Sequence, residues 1–579
     1  MTRNKRSNSR RAAAPALIAL TALVFAGCTA RPDYTKIRPA WENGDLQTAS
    51  TEIQRDAGYP VGSSDKVETA KDPLRWMLNA GSIAGVNGEF AASAHYLDVA
   101  QAKIDEGTRR EDDEKSVSDR AKNLLFGDYE PTIHEAVMVP VLQIYNALGS
   151  GASVDEVAAK AKALVETQKA MIDRKRRTED AFVAESAEPE ELTLTDTLKI
   201  TLSPRANAEE SLRATGYTDA DLMVNVPDSE KRSLYVNPYA RWLAAVVIAH
   251  SAKNPSDFEL AAGQLESALD VLPDNMLLLD TLRSYQEAAL ATSVSKANVL
   301  AFSDDPNDPD PKMAEPNLTY VIYEGGRAPE IGIKPVDLKV PKALNLAVGG
   351  IITLAANLAA KHEACHVIGT EYAIAATAAM TEKATGYLPV LHSRGKAPAL
   401  TVNGVKPTPL ADFDVLMDRR LRAETLDYAT AFTYEIIGRV VARGVAIGGS
   451  LVALNRSLES GNALGANLAV RGFMASVAAA AEPLELSKPG TRTWDYMPRT
   501  IAVSRFATPA GGKIDVGGES VSVPAKGVNI VRIYKADKYW PAAVQVFTLK
   551  SDGSVSAAPV KRLSAPERPT EAPVAANKK

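Results

Sequence analysis

YVNPYARWLAAVVIAHSAKNPSDFELAAGQLESALDVLP, residues 235–273, reads as two antiparallel helices, the second carrying Ala261, Leu265, Ala268 and Pro273. The small residues let a neighbouring helix approach, Leu265 fills the gap between the axes, and Pro273 ends the unit because proline cannot continue a helix. A helix pair of this kind builds a surface for holding something. It carries no catalytic signature.

The spacing A-x3-L-x2-A-x4-P resembles the second helix of a tetratricopeptide (TPR) unit, and related units lie on either side. Upstream, Gly44-Asp45-Leu46-Gln47-Thr48-Ala49 is similar to a TPR turn and helix start, after Arg38-Pro39-Ala40-Trp41. A fuller copy has Leu74, Met77 and Leu78, then Gly81, Gly88-Glu89-Phe90, Leu97 and Ala100; Gly88 suits a tight inter-helix turn. The spacing from Gly44 to Gly88 exceeds the usual repeat of about 34 residues, so the array is irregular. A third pair spans residues 133–148 and 154–183, broken at Gly149-Ser150-Gly151, and a further helix over 276–290 packs behind the opening stretch. The acid- and proline-bearing residues 184–231 read as a partly ordered connector. Three or more such pairs suffice to bury a continuous solenoid core.

Residues 303–317, with Asp304, Asp305, Asp308, Asp310 and four prolines, form a linker. After it the hydrophobic period changes to two. Thr319-Tyr320-Val321-Ile322-Tyr323 is a strand, Glu324-Gly325-Gly326 turns, and residues 331–340 return extended. Residues 386–391 and 399–402 resume strands, with Asn403-Gly404 as a hairpin signal. Residues 410–480 return to helix, rich in glycine and alanine. Beyond Trp494, segments 501–506, 513–516, 520–523, 528–534 and 543–549 read as a small antiparallel β domain. The expected class is α+β: a signal peptide over 1–27, a TPR-like helical domain over 28–302, the linker, and a mixed strand and helix region over 318–490. An antiparallel β domain over 491–550 and a disordered tail over 551–579 complete the division.

The chain has 579 residues, 45% hydrophobic and 24% charged, as in a globular protein, with a formal net charge of −5. Arg3, Lys5, Arg6, Arg10 and Arg11 all precede Gly27, so the chain from Cys28 on is more acidic still. That balance argues against a nucleic-acid partner, which demands basic patches. The basic start and the apolar run 12–26 end in Val24-Phe25-Ala26-Gly27-Cys28, which resembles a bacterial lipobox. The resemblance implies an acyl anchor on Cys28. Thr29, not aspartate, follows, implying the inner leaflet of the outer membrane, facing the periplasm. The one other cysteine is Cys365, so acylation of Cys28 leaves no intramolecular disulfide.

One motif carries possible chemistry. His362-Glu363-Ala364-Cys365-His366 is an H-E-x-x-H, which on a helix puts two imidazoles on one face for Zn²⁺, with Glu363 as general base. Gly369 fits the extended pattern, but Tyr372 stands where it has a third histidine. Glu371, Glu382 and His392 are the remaining candidates for a third ligand. In the leading reading His362 and His366 lie on the polar stripe of an apolar helix, in line with Thr370, no metal or other cofactor is bound and the chain is not an enzyme; a zinc metallopeptidase is the alternative. A second alternative is a membrane-associated secretion or transport component built on the Gly/Ala-rich helices near 345–380 and 436–480. Arg439, Arg443, Arg456 and Arg471 interrupt every window long enough to span, which favours burial against protein.

Asp72-Pro73-Leu74-Arg75-Trp76, Tyr235-Val236-Asn237-Pro238-Tyr239, Tyr320-Val321-Ile322-Tyr323-Glu324-Gly325-Gly326 and Thr491-Arg492-Thr493-Trp494 together resemble a family of functionally uncharacterised bacterial lipoproteins with TPR-like helices. The resemblance covers roughly residues 70–550, and residues 342–385 depart from it. Cys28, the repeat pattern and the absence of a complete catalytic site lead to the expectation of a membrane-tethered scaffold that binds a protein partner through its helices in cell-envelope assembly or maintenance; the resemblance itself implies a lipoprotein of unassigned function. It carries over no catalytic residue.

Overall fold

The computed structural model describes residues 34–56, 73–113, 120–121, 124–125, 129–195, 198–223, 226–302, 317–346, 348–350, 383–459, 463–481, 484–489 and 493–565. The fold is mixed α+β. Helices come first: α1 Tyr34–Glu42, α2 Leu46–Asp56, α3 Pro73–Asn87, α4 Phe90–Asp113, α5 Ile133–Ala136, α6 Met138–Gly149 and α7 Val154–Ala187. They form hairpins at the glycine turns read from the sequence. Gly44 and Gly88 hold φ of 76° and 88°, the left-handed region that glycine enters without a side-chain clash. α7 opens on a capping box, Ser153 and Glu156 each closing on the other's backbone N–H.

The connector over 184–231 is more ordered than its composition suggests. β1 Glu190–Thr195 pairs with β2 Leu198–Leu202, and α8 Pro204–Ala214 and α9 Asp228–Ser233 follow. Pro204 starts α8 instead of breaking a helix, because a first-turn residue needs no intrahelical N–H bond.

The stretch 235–273 folds as α10 Pro238–His250 and α11 Pro255–Leu269, followed by α12 Met276–Phe302. Asn237 and Asn254 cap α10 and α11 by accepting from the N–H groups of Ala240 and Asp257, each with proline next in line. Every residue of α10 from Pro238 to Ala249 is buried. A helix apolar all round needs cover on every side, and here the chain's own sheet supplies part of it.

That sheet joins β3 Leu318–Gly325 to strands far along the chain. β4 Glu330–Lys339, β5 Lys383–His392, β6 Thr408–Asp412, α13 Phe413–Glu459, α14 Ala463–Ala481 and β7 Leu484–Glu485 come next. β8 Thr500–Ala507, β9 Lys513–Val516, β10 Glu519–Ser522, β11 Val528–Lys535, β12 Ala543–Leu549, β13 Val555–Ala557 and β14 Lys561–Arg562 complete the order. The large sheet runs β13-β12-β11-β3-β8-β6, with β14 also on β12. β3 sits between β11, parallel to it, and β8, antiparallel.

The sheet corrects two boundaries. Residues 491–550 do not form a self-contained antiparallel β domain, because their sheet is completed by β3 and β6 from the region assigned separately. Nor does order stop at 551: β13 and β14 pair with β12, and Leu563 is buried. β3 is buried at all eight positions, as a central strand covered on both faces must be. Leu318, Tyr320 and Ile322 join the helical core, while Val321 and Tyr323 pack with Ile514, Val516 and Val521 of the β9–β10 hairpin. The Asn403-Gly404 turn forms as read, with φ of 49° and 78°. A second core lies between α8, the three-stranded sheet β4-β5-β7 and α13, around Leu338, Leu388 and Phe432.

The expected signal peptide with Cys28, the linker apart from Asn317, and residues 351–382 lie outside the described residues.

Candidate functional site

Described residues of four sequence motifs, among them Arg75, Tyr239, Glu324 and Trp494, come together where the helices meet the sheet. On the helix-facing side of three adjacent strands stand Glu324, Arg532 and Gln545, all buried. Arg532 donates from Nε and Nη2 to the two carboxylate oxygens of Glu324 at 3.0 and 2.8 Å. Its guanidinium lies 4.4 Å from the centre of the Tyr145 ring, and the Tyr145 and Tyr239 hydroxyls are hydrogen-bonded to each other. Gln545 Nε2 donates to the Gly85 carbonyl of α3 at 2.7 Å. Burial pushes the Tyr145 and Tyr239 phenols well above the ordinary tyrosine range. The void beside this network, between Ser82, Trp494, Glu324 and Arg532, is only about 10 Å³, room for one water at most. The network holds helices to sheet and leaves no room for a ligand.

The segment Thr493–Met497 runs alongside. Trp494 N–H donates to Glu135 at 2.8 Å and its indole N–H to Ser82 Oγ at 2.9 Å. Glu135 also accepts from the Thr132 N–H at 2.7 Å and the Tyr129 hydroxyl at 3.2 Å, while its burial raises its pKa.

Next to this segment a cleft of about 210 Å³ opens, lined by Arg38 and Trp41 of α1, Arg75 of α3, Arg327, Arg394, Asp495 and Tyr496. Arg75 donates to the Thr493 carbonyl at 2.9 Å and to Asp495 Oδ2 at 2.6 Å. Arg394 donates to Asp495 Oδ1 at 3.0 Å and to Glu330, which Arg38 approaches at 3.8 Å. Three guanidinium groups thus gather around two carboxylates, and Arg327 lines the same cleft. Trp41 packs its ring 4.4 Å from Tyr496 and 4.9 Å from Trp540, centre to centre, giving that side an aromatic wall. The indole Nε1 of Trp41 and the Nε of Arg394 are buried donors with no partner. A cleft lined by guanidinium groups suits a carboxylate or phosphate, whose oxygens match the guanidinium fork.

No known family, curated protein or solved structure matches the chain.

Among the residues singled out in the sequence, Cys28, His362, Glu363, His366, Glu371 and Glu382 lie outside the described residues. His392 ends β5 opposite Glu330, its ring packed over Gly332, where an added Cβ would fall 2.1 Å from it. Among the described residues no group of three or more His, Cys, Asp or Glu is arranged to hold a metal. Arg327, Arg394 and Asp495 lie in loops and carry no local sequence signal of their own. The available signal was the pair of motifs around Arg75 and Trp494, which the fold brings to the edge of the cleft.

Proposed function

We propose that this chain is a lipid-anchored scaffold of the cell envelope that holds its partner by an anionic group in the arginine-lined cleft. The carrying observation is the set of four arginines, contributed by the first two helix hairpins and by two loops, that line one cleft with Asp495. The anchor is Cys28, supported by the lipobox resemblance, and the placement is the inner leaflet of the outer membrane, facing the periplasm. The helix hairpins are read as irregular TPR-like units. The face of the best-preserved unit is filled by β3, with Trp242 and Tyr320 ring centres 5.7 Å apart in edge contact. A protein partner therefore engages the helical part at its α1 and α3 end, through Arg38, Trp41 and Arg75, and not in a solenoid groove.

Titration calorimetry tests this with the chain from residue 29 on, using inorganic phosphate and an acidic peptide as probes. Saturable binding is expected, weakened about tenfold by Arg394→Gln, in line with loss of one charge-assisted hydrogen bond. Absence of saturable binding to either probe would remove the cleft from the proposal.

The H-E-x-x-H spacing supports a second reading, a zinc metallopeptidase using His362, His366 and Glu363. Elemental analysis decides it. The scaffold reading expects sub-stoichiometric zinc, whereas stoichiometric zinc lost in His362→Ala would establish the peptidase.

A further inference from the structure

The C-terminal part of α13 and the whole of α14 form a long helical hairpin, with Ile447, Leu454 and Phe473 buried between the arms. Outside that seam the hairpin carries exposed apolar side chains: Val445 is 59% exposed, Leu468 62%, Val470 40% and Met474 51%. The other large apolar residues exposed among those described, such as Val183, Met276, Leu290 and Val405, are scattered singly. Exposed apolar side chains concentrated on one pair of helices mark a surface that is covered in use.

The charges identify the cover. Residues 436–481 contain Arg439, Arg443, Arg456 and Arg471 against Glu459 as their one acid, on a chain whose formal net charge is −5. Arg439 is tied to Glu435 and to the Glu485 carbonyl, but Arg456 and Arg471 are exposed. A net basic, apolar surface suits anionic phospholipid, and its net positive charge disfavours self-association. The stretch Phe413–Leu454 includes a window of mean hydropathy 1.6, of which only 31% is buried. The arginines oppose full insertion and suit lying at the headgroup level, where their side chains reach phosphates.

β5 pairs with β4 out to Lys339 opposite Lys383, and with β7 at Ala384 opposite Leu484. The hairpin therefore returns to the sheet at the end where the chain leaves β4 and re-enters β5. Leu346, 75% exposed, lies in the segment leaving β4, and Val348 packs against Gly444 of the hairpin.

We propose that the α13–α14 hairpin is a membrane-docking element that lies on an anionic bilayer surface. Val470 and Met474, one turn apart on the same face of α14, enter the acyl boundary, and Arg456 and Arg471 meet the lipid phosphates. This contact is separate from the acyl anchor and from the arginine-lined cleft.

Vesicle sedimentation of the chain from residue 29 on, which lacks the acylated cysteine and keeps every described residue, tests it. Binding is expected to vesicles containing phosphatidylglycerol and to weaken with salt, with little binding to pure phosphatidylcholine. Val470→Glu with Met474→Glu should reduce partitioning at least about tenfold with an unchanged circular dichroism spectrum, since both side chains are exposed. Arg456→Gln should reduce it about fivefold. Equal binding to neutral and anionic vesicles, or none to either, would overturn the proposal. So would a dimer in analytical ultracentrifugation that the glutamate substitutions dissociate, which would make a second copy the cover.

Discussion

Glu324 closes β3 without solvent access, and both of its oxygens are held by Arg532 of the neighbouring strand. A buried charge left without its partner is costly, so Glu324→Ala should destabilise the fold by about 3–5 kcal/mol, read as a lower urea midpoint. Replacing both residues with apolar ones, Glu324→Leu with Arg532→Met, should recover most of that loss, because it removes the stranded charge. A second expectation concerns acid. His134 is buried and His250 half-buried at the end of α10, and desolvation, aided by Arg420 and Arg505 respectively, lowers them from 6.5 to about 3 and about 4. The unfolded chain then binds more protons than the folded one below pH 6.5. Stability should fall as pH drops from 6.5 towards 4, by about 1.4 kcal/mol per pH unit for each histidine. Urea midpoints across that range check it, and His250→Gln should flatten the slope. None of these partnerships is legible locally: Glu324 reads as a turn residue in the sequence, and its role depends on strands β11 and β12 far downstream.

Helix and strand positions were far more readable. Apolar spacing, the asparagine caps followed by proline, and the glycine turns each act within a few residues, so α10, α11 and the strands from β8 to β12 form close to where the sequence puts them. Gly81 shows how close two elements come. An added Cβ would sit 2.6 Å from Leu97 Cγ of α4. Gly81→Ala should therefore push α3 from α4 and destabilise by about 1–3 kcal/mol, as overpacked cores do; thermal melting checks this. Residues 184–231 were less readable because α8 gains its stability from packing on α13 and β4, where Ala208 and Leu212 join the second core. Their acidic residues and prolines masked a helix whose apolar side is short.

At the scale of the molecule, helices and large sheet share one continuous core, which runs from Ile37 and Trp41 through Trp242 to Tyr320, Ile530 and Phe547. A chain cut after residue 302 should not persist as a folded helical domain, because α10 would lose the sheet cover that its apolar surface needs. Limited proteolysis of such a fragment should degrade it rapidly, whereas a protease-resistant, cooperatively melting fragment would refute the single core. The sequence by itself determined the helix hairpins, most strands, the basic and apolar start with its lipobox pattern, and the H-E-x-x-H spacing, because each depends on residues close together along the chain. Only the tertiary structure decided that β3 lies between β11 and β8, that the stretch 235–273 packs against the chain's own sheet, and that Arg38, Arg75, Arg327 and Arg394 line one cleft. Those outcomes depend on strand order and on contacts hundreds of residues apart, which local periodicity does not encode.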